Sequence, residues 1–583
     1  MAAVAFAVGA IVGGNSPSHA RASLAARFVS AWTRGEYAAM YLDLDAASRA
    51  ATTPEEFAQA YRSALTTATA NRERTAGRAR ELSGGRVAVP VRIRTRLFGT
   101  LALTFVLPVS GGEHGQVIAW SRSLSFPGLQ SGERLASQVT MPARAKLLAR
   151  DGSALAEGAA TETSPRVYPL GEAAGGLVGS VGRSSGAQRK ALEEQGVPAT
   201  ALVGTRGLEL ALDAHLLGTP GGRLVAEPAQ GGGPQRVLAD ATARAAPPVR
   251  TTISPAVERA AVSALGAQYG GVVALDPASG HILAVAGIAL DSVQPPGSTF
   301  KMVTVTGVLA AHLATRQTAF PYATFTTLDG VKLSNANEES CGGTLEDAFA
   351  TSCNSVFAPL GVKLGAERLA KTAEGFGFNH AAGIDGAAES TIPAAGEIQS
   401  ELELGSTAIG QGRVQASALE MALIASTVAD EGRRPEPSFL PGTPAPGTRA
   451  MSASVARTVR RLMIAVVRRG TGTAAAIPGV VVAGKTGTAE LKSQCPKGTV
   501  PSEEAAKGAE TRAGEEPGTS QSTANCVLNT TEPSNTDAWF AAFAPASRPR
   551  VAVAVLLVKD GAGGTTAAPV AREVLEAALS AGG

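Results

Sequence analysis

The stretch PPGSTFKMVT, residues 295–304, places Ser298 three residues before Lys301, directly after a Pro-Pro-Gly bend. Residues three apart are neighbours on the surface of a helix. A serine hydroxyl is a weak nucleophile until a base removes its proton, and a lysine can be that base when burial or a second cation lowers its pKa. The pattern S-x-x-K occurs once in a chain with only eleven lysines. A capped helix start would also explain it, so it needs support from other motifs.

Two further motifs, each unique in the chain, follow in order. The Ser-Cys-Asn triplet at 352–354 comes after the helix-like segment LEDAFA, and by itself it would fit an ordinary cap between two helices. The Lys-Thr-Gly triplet at 485–487 follows a run of valines that predicts a strand. A glycine inside a strand often marks close approach of a ligand, although a turn or bulge is the simpler alternative. Together, the three motifs predict a nucleophilic active site.

Composition sets the broad class of the protein. The chain has 583 residues, of which 44% are hydrophobic and 17% charged, so it is globular and long enough for two to four domains. Its net charge of +3 and lack of a basic block argue against a nucleic-acid partner. The six histidines are scattered, and neither C-x-x-C nor H-E-x-x-H occurs, so no zinc site is expected.

The N-terminus and the cysteines bear on the cellular compartment. The apolar run at 2–12 is shorter than the roughly 20 residues of a membrane-spanning helix and lacks a positive leader. Residues 1–19 are therefore either the remnant of a membrane anchor or a plain flexible start. Among the four cysteines, Cys495 and Cys526 bracket a polar insert, and a bridge between them would indicate an oxidising compartment. For Cys341 and Cys353, a bridge and a free thiol both remain open.

The first region, 20–137, predicts a compact α+β domain. Its segment TPEEFAQAYRSAL begins with a capping box formed by Thr53 and Glu56. Its segment RVAVPVRIRTRLF alternates aliphatic and basic residues, as a half-buried strand does. This region contains no catalytic pattern, so a spacer or docking role is expected. The following region, 138–250, is rich in Ala, Gly, Arg and Pro and predicts an extended pedestal or linker.

The last region, 251–583, predicts a sheet assembled from distant segments. GGVVALDPASGHILAVAG predicts a hairpin, and AWFAAFAP and RVAVAVLLVKD predict two more strands near the C-terminus. A helix is expected to begin at Ser298, and a final helix is expected over 567–579.

These motifs carry a family resemblance. GVVALDPASGHILAVAG, PPGSTFK, SCNSVF, IGQG, KTGTAE and DAWFAAFAP resemble, in order, the transpeptidase domain of the class B penicillin-binding proteins, whose superfamily includes the serine β-lactamases. AWTRGEYAAMY and TPEEFAQAY resemble the N-terminal nuclear-transport-factor-like domain of the low-affinity members, and GTRGLELALDAHLLGTPGG resembles their linker. The resemblance implies a multidomain α+β protein. Its parts would be an N-terminal cone-like domain, an extended pedestal, and a C-terminal antiparallel sheet flanked by helices with an all-helical subdomain.

The resemblance also implies a role for each motif residue. Ser298 would attack the carbonyl of the penultimate D-alanine of a peptidoglycan stem peptide, and Lys301 would accept its proton. Ser352 would relay that proton to the leaving amine, and Asn354 would position Lys301 and the substrate amide. Lys485 would present a cation to the terminal carboxylate.

The residues after Lys485 would complete the substrate site. Thr486 and Thr488 would donate hydroxyl hydrogen bonds, and Gly487 would leave room for the backbone. The N–H groups of Ser298 and Thr488 would form the oxyanion hole. No metal or cofactor is implied. The expected partners are stem peptides, β-lactams, and wall-synthesis proteins such as glycosyltransferases, at the outer face of the cell membrane.

The predicted activity is therefore that of a serine D,D-transpeptidase, and alternatives remain. A class A β-lactamase would need a glutamate followed by an asparagine four residues on, and E-x-x-x-N is absent from the chain. A D,D-carboxypeptidase would use the same residues and transfer the acyl group to water. A non-catalytic β-lactam sensor would acylate once and signal.

Overall fold

The computed structural model of the chain describes residues 17–112, 115–160, 164–442, 445–492 and 532–581. Most of the predicted anchor remnant, together with Cys495 and Cys526, lies outside the described residues. Among the helices of the described ranges, none combines the length and the apolar character needed to cross a bilayer.

The chain forms two compact units whose segments alternate along the sequence. The first unit comprises Met1–Ala145, Gly182–Val203 and Leu217–Pro247, and the second comprises Lys146–Val181, Gly204–Leu216 and Pro248–Gly583. Residues of the predicted pedestal, 138–250, occur in both units. The domain boundaries at 137 and 250 stay a prediction.

The first unit combines helices with antiparallel sheets. Its helices are Pro17–Arg34, Tyr37–Leu42, Ala46–Ala51, Pro54–Thr67 and Gly186–Glu194. One sheet contains Ala70–Ala76, Arg80–Glu81, Arg86–Thr95, Thr100–Gly112 and Gly115–Ile118, and a second contains Glu133–Thr140, Gly221–Pro228 and Arg236–Ala241. The predicted capping box is confirmed, because the Thr53 hydroxyl accepts from the Glu56 N–H at 3.3 Å and the Glu56 carboxylate accepts from the Thr53 N–H at 2.9 Å.

The core of the first unit follows the alternation seen in the sequence. Strand Arg86–Thr95 buries its valines and Ile93 and leaves Arg92 and Arg94 exposed. Against this sheet, Trp32 meets Phe105 edge-on with 5.0 Å between ring centroids. The unit is thus an ordinary helix-on-sheet core, stabilised by burial of apolar surface.

A five-stranded antiparallel sheet forms the centre of the second unit. In spatial order its strands are Ile282–Gly287, Gly270–Leu275, Val551–Leu557, Thr536–Ala544 and Ala483–Glu490. The predicted hairpin and the predicted C-terminal strands are confirmed, and they lie as paired neighbours in this sheet.

 Gly271 and Leu556 are direct partners in neighbouring strands, so the sheet is assembled from distant segments, as the sequence predicts.

Helices cover both faces of this sheet and extend beyond it. One face packs against Pro255–Leu265 and Ala567–Ala581, and Ala418–Ala429 packs against the sheet as a fully buried helix. Within the described residues of this unit, the other helices of six or more residues are Glu172–Val178, Lys301–Ala310, Leu345–Ala350, Asn354–Leu364, Ala366–Phe376, Glu401–Ala408 and Ala453–Arg469. Short strands lie at Ala319–Ala323, Phe325–Leu328, Val331–Ser334 and Cys341–Thr344. The predicted fold class, multidomain α+β with an antiparallel sheet flanked by helices, is confirmed.

One helix begins later than the sequence predicts. Gly297–Phe300 is a 3-10 turn, and the α-helix runs over Lys301–Ala310. The chain is wound more tightly here than in an α-helix because the N–H and the hydroxyl of Thr299 both donate to the carbonyl of Pro296. The hydrogen bond from the hydroxyl is 2.6 Å long.

Candidate active site

Ser298 lies in the 3-10 turn that precedes helix Lys301–Ala310. Residues i and i+3 eclipse in such a turn, so Ser298 and Lys301 lie one above the other. The IGQG segment holds this turn in place, because the Gly410 carbonyl accepts a hydrogen bond from the Gly297 N–H at 2.9 Å. Ser298 is half-buried, and its hydroxyl makes no hydrogen bond with any residue of the described ranges.

The amine of Lys301 is fully buried and donates hydrogen bonds to the second motif, the Ser-Cys-Asn triplet at 352–354. Its Nζ donates to the Ser352 carbonyl at 2.6 Å and to Asn354 Oδ1 at 2.7 Å, and lies 3.4 Å from the Ser352 hydroxyl. Burial, with a smaller contribution from the nearby Lys485, lowers the pKa of Lys301 well below its usual value. The structure therefore brings Lys301 together with Ser352 and Asn354, while the direct bond from Lys301 to Ser298 is not made.

The second motif sits between helices Leu345–Ala350 and Asn354–Leu364. Ser352 has a φ of 61°, in the left-handed region that non-glycine residues rarely adopt and that occurs often at functional sites. Cys353 is joined by a disulfide to Cys341, with 5.8 Å between Cα atoms, which settles the pairing that the sequence left open. Asn354 donates through Nδ2 to the Ser334 carbonyl at 2.9 Å. Contacts on both sides thus hold Ser352 in its unusual conformation.

Lys485 approaches the same serine from the sheet. Its Nζ donates to the Ser352 hydroxyl and to the Thr486 carbonyl, each at 2.9 Å. Burial lowers the pKa of Lys485 to about 7. The two lysine amines also lie 5.6 Å from the ring centroids of Phe357 and Phe349, respectively, and such contacts favour the charged form of an amine.

The strand of the third motif, the Lys-Thr-Gly triplet at 485–487, packs closely against the turn that carries Ser298, so that the two backbones are in contact. A Cβ atom at Gly487 would stand 2.7 Å from the Pro296 carbonyl oxygen, and one at Gly297 would stand 2.6 Å from the Thr488 carbonyl oxygen. Only glycine allows this approach at either position. Thr488 is half-buried, and its hydroxyl makes no hydrogen bond within the described residues.

Thr471 and Arg469 support the site but do not belong to any pattern singled out in the sequence. The Thr471 N–H donates to the carbonyl of Ala350 at 3.1 Å, and its hydroxyl lies 2.5 Å from the hydroxyl of Thr486. Thr471 thus joins the helix before the second motif to the third motif. The Arg469 guanidinium forms ion pairs with the carboxylates of Asp347 at 2.7 Å and Glu346 at 2.9 Å on that helix.

Comparison with known proteins identifies the fold around this site. A family model described as the penicillin-binding protein transpeptidase domain matches residues 270–505 and 508–576, more than half of the chain. The chain belongs to the penicillin-binding protein transpeptidase family. Two further models match this penicillin-binding protein, the penicillin-binding protein dimerisation domain at 153–240 and the NTF2-like N-terminal transpeptidase domain at 20–133.

Several relatives cover most of this penicillin-binding protein. The peptidoglycan D,D-transpeptidase PbpA of Mycolicibacterium smegmatis is 32% identical over 57% of this chain and 73% of its own length. The crystal structure of the D,D-transpeptidase domain of a peptidoglycan glycosyltransferase from Eggerthella lenta has a TM-score of 0.56 and 28% identity, covering 76% of this chain and 100% of that one. The ceftriaxone acyl-enzyme complex of penicillin-binding protein A from M. tuberculosis has a TM-score of 0.55 and 28% identity, covering 75% of this chain and 98% of that one.

Proposed function

We propose that this protein is a serine D,D-transpeptidase that cross-links peptidoglycan stem peptides and is acylated by β-lactams. The observation that supports this proposal most directly is that two buried lysine amines both donate hydrogen bonds to Ser352, beside the turn that holds Ser298. A site of this kind supplies a nucleophile, a base of lowered pKa and a cation. The names of the relatives, D,D-transpeptidases and a β-lactam acyl-enzyme, support the same activity.

The first half-reaction forms an acyl-enzyme. Ser298 Oγ attacks the carbonyl carbon of the penultimate D-alanine, and its proton passes to the neutral amine of Lys301. The C–N bond to the terminal D-alanine then breaks, and the leaving amine receives a proton through the Ser352 hydroxyl. This hydroxyl suits a relay because it lies within reach of both Lys301 and Lys485.

The strand that contains the third motif binds the substrate. Ala483–Glu490 is an edge strand of its sheet within the described chain, so an extended peptide can add to it through backbone hydrogen bonds. Lys485, Thr486 and Thr488 then receive the terminal carboxylate. The N–H groups of Ser298 and Thr488 face the reacting carbonyl as an oxyanion hole, and the close approach of their backbones supports this assignment.

In the second half-reaction, an amine from another stem peptide attacks the ester carbonyl. The new amide bond forms, the bond to Ser298 Oγ breaks, and the serine regains a proton through Lys301. We place this reaction at the outer face of the cell membrane. The Cys341–Cys353 bridge supports an oxidising compartment. Wall-synthesis proteins, including glycosyltransferases that supply the glycan strands, are the protein partners that we propose for it.

One pair of measurements tests the proposal. The Ser298→Ala variant should lose covalent labelling by a fluorescent penicillin while its circular dichroism stays that of the parent, and labelling that survived would exclude Ser298 as the nucleophile. Turnover of a pentapeptide donor with and without an acceptor amine then separates the activities. Dependence on the amine indicates transpeptidation, release into water indicates a carboxypeptidase, and a single acylation without turnover indicates a sensor.

A further inference from the structure

The edge of the five-stranded sheet that lies opposite the third motif borders a cavity. The strand of the third motif forms one edge of this five-stranded sheet, and Ile282–Gly287 forms the other. With neighbouring strands about 4.8 Å apart, the two edges are separated by roughly 19 Å. A cavity of about 400 Å³ opens against this far edge, which is within the usual size of small-ligand sites.

Most of the far edge is already occupied by the protein itself. The Leu283 carbonyl accepts from the Ser254 N–H at 2.8 Å, and the Val285 N–H donates to Glu258 Oε2 at 2.8 Å. Every second residue of a strand turns its N–H and C=O toward the same side. The next groups on this edge are therefore the carbonyl of Val285 and the N–H of Gly287.

These two groups remain open at the cavity. Both Val285 and Gly287 line it, and no residue of the described ranges forms a hydrogen bond with the Val285 carbonyl or the Gly287 N–H. When an added strand pairs in parallel, one of its residues donates its N–H to the carbonyl of residue i−1 of the neighbouring strand. The carbonyl of the same residue accepts from the N–H of residue i+1 of that strand. One amino-acid residue in extended conformation would satisfy both groups, whereas the capped groups of Leu283 and Val285 leave no room for a longer added strand.

Charged side chains surround the open edge. Arg206 and Asp291 form an exposed ion pair at 3.1 Å, and Asp385 is exposed with no hydrogen bond or ion pair in the described chain. All three line the cavity, so its net charge is −1. A ligand that combines a peptide unit with a positively charged amine matches this edge in both hydrogen bonding and charge.

We propose that the cavity is an accessory site for a short, amine-bearing peptide, and that its source is the stem peptide of the cell wall. This proposal rests on the proposed function, which supplies the class of peptide. The short length of open edge favours a stem peptide over a segment of a protein partner, because β-strand addition by a protein uses a longer row of backbone groups. Such a site would hold a neighbouring stem peptide of the polymer while the catalytic edge works on another.

The cavity can be closed without disturbing the backbone. Gly176 lines it, and a Cβ atom at Gly176 would meet no atom within 4 Å, so Gly176→Leu should fill the space. Gly442 offers a matched control, since a Cβ there also meets no atom within 4 Å and Gly442 does not line the cavity. Asp385→Asn removes the unpaired charge and keeps the shape of the side chain.

The experiment uses the full chain after acylation by penicillin G, so that the catalytic site is occupied. Mass spectrometry of the acyl-enzyme comes first, and failure at this step counts against the proposed function alone. Binding of the peptide L-lysyl-D-alanyl-D-alanine is then measured by calorimetry, together with its form acetylated on both amines. We expect the acylated protein to bind the free-amine peptide and to bind the acetylated peptide more weakly.

The variants decide whether this binding occurs at the proposed cavity. Gly176→Leu should abolish it, Gly442→Leu should leave it unchanged, and Asp385→Asn should weaken it by about fivefold, as expected for one exposed charge contact. Equal binding of both peptides would overturn the proposal, as would no binding to a protein shown to be acylated. Unchanged binding by Gly176→Leu, or equal loss in the Gly442→Leu control, would also overturn it.

Discussion

The amine of Lys485 lies 2.9 Å from the hydroxyl of Ser352, while the backbone carbonyl of that serine accepts a hydrogen bond from Lys301 at 2.6 Å. Ser352, whose backbone is in the left-handed conformation, thus lies between the two buried amines. Because two nearby positive charges in a buried site repel each other, the site favours one protonated and one neutral lysine. This arrangement suits the base and the cation that the proposed mechanism needs.

Removing the Ser352 hydroxyl should slow acylation by about a hundredfold or more, the usual effect of losing a proton-transfer group. Ser352→Ala is the direct test, with the second-order rate of penicillin acylation as the readout. Ser352→Gly is the matched control, because it also lacks the hydroxyl but adopts the φ of 61° without strain. Equal losses in both variants assign the effect to the hydroxyl. A fast Ser352→Gly enzyme would show instead that backbone geometry is what matters.

Acylation should depend on pH through both lysines. Lys301 must be neutral to accept a proton, so its titration raises the rate as pH increases through its lowered pKa. Lys485 must be protonated to present a cation, so the rate should fall as pH rises through its pKa of about 7. In Lys485→Arg, the guanidinium keeps its charge and the fall above pH 7 should disappear, whatever the absolute rate. A parent enzyme whose rate kept rising well above that pKa would contradict the role given to Lys485.

Thr471→Val should lower the acylation rate by about fivefold, the effect of one net hydrogen bond of about 1 kcal/mol. The substitution removes the contact with the Thr486 hydroxyl but keeps the backbone bond to Ala350. Thr471→Ser retains the hydroxyl and should behave like the parent in the same stopped-flow measurement. If Val and Ser variants acylate equally fast, Thr471 does not position the third motif.

The sequence predicted the motifs but not all the contacts among them. Ser298, Lys301, Ser352 and Lys485 stand out because their residue types suit catalysis and their patterns are unique. Thr471 does not stand out, because its role comes from a contact across the fold with Thr486. The spacing of Ser298 and Lys301 also suggested a direct pair, whereas the Lys301 amine bonds to Ser352 and Asn354, two acceptors that only the tertiary structure brings within reach.

Removing the Cys341–Cys353 bridge should destabilise the catalytic unit and slow acylation. The bridge joins residues 12 apart, and closing a loop of this length contributes about 3 kcal/mol in the chain-entropy model. It also anchors Cys353, which directly follows Ser352. The Cys341→Ala/Cys353→Ala double variant should therefore show a lower free energy of unfolding in urea and a reduced acylation rate. Parent-like acylation in the folded double variant would show that the bridge does not position the second motif.

Gly487→Ala should abolish or strongly reduce acylation, because its methyl group would stand 2.7 Å from the Pro296 carbonyl oxygen and 3.0 Å from the Thr299 methyl carbon. Relief of this clash requires the strand to move away from the turn, which separates the backbone N–H groups of Ser298 and Thr488. Overpacking of this kind also costs about 1–3 kcal/mol of stability. Gly396→Ala is the control, since a Cβ atom there meets nothing within 4 Å. Penicillin labelling and thermal unfolding of both variants measure the two effects, and a normally labelled Gly487→Ala protein would show that this close approach is not needed for catalysis.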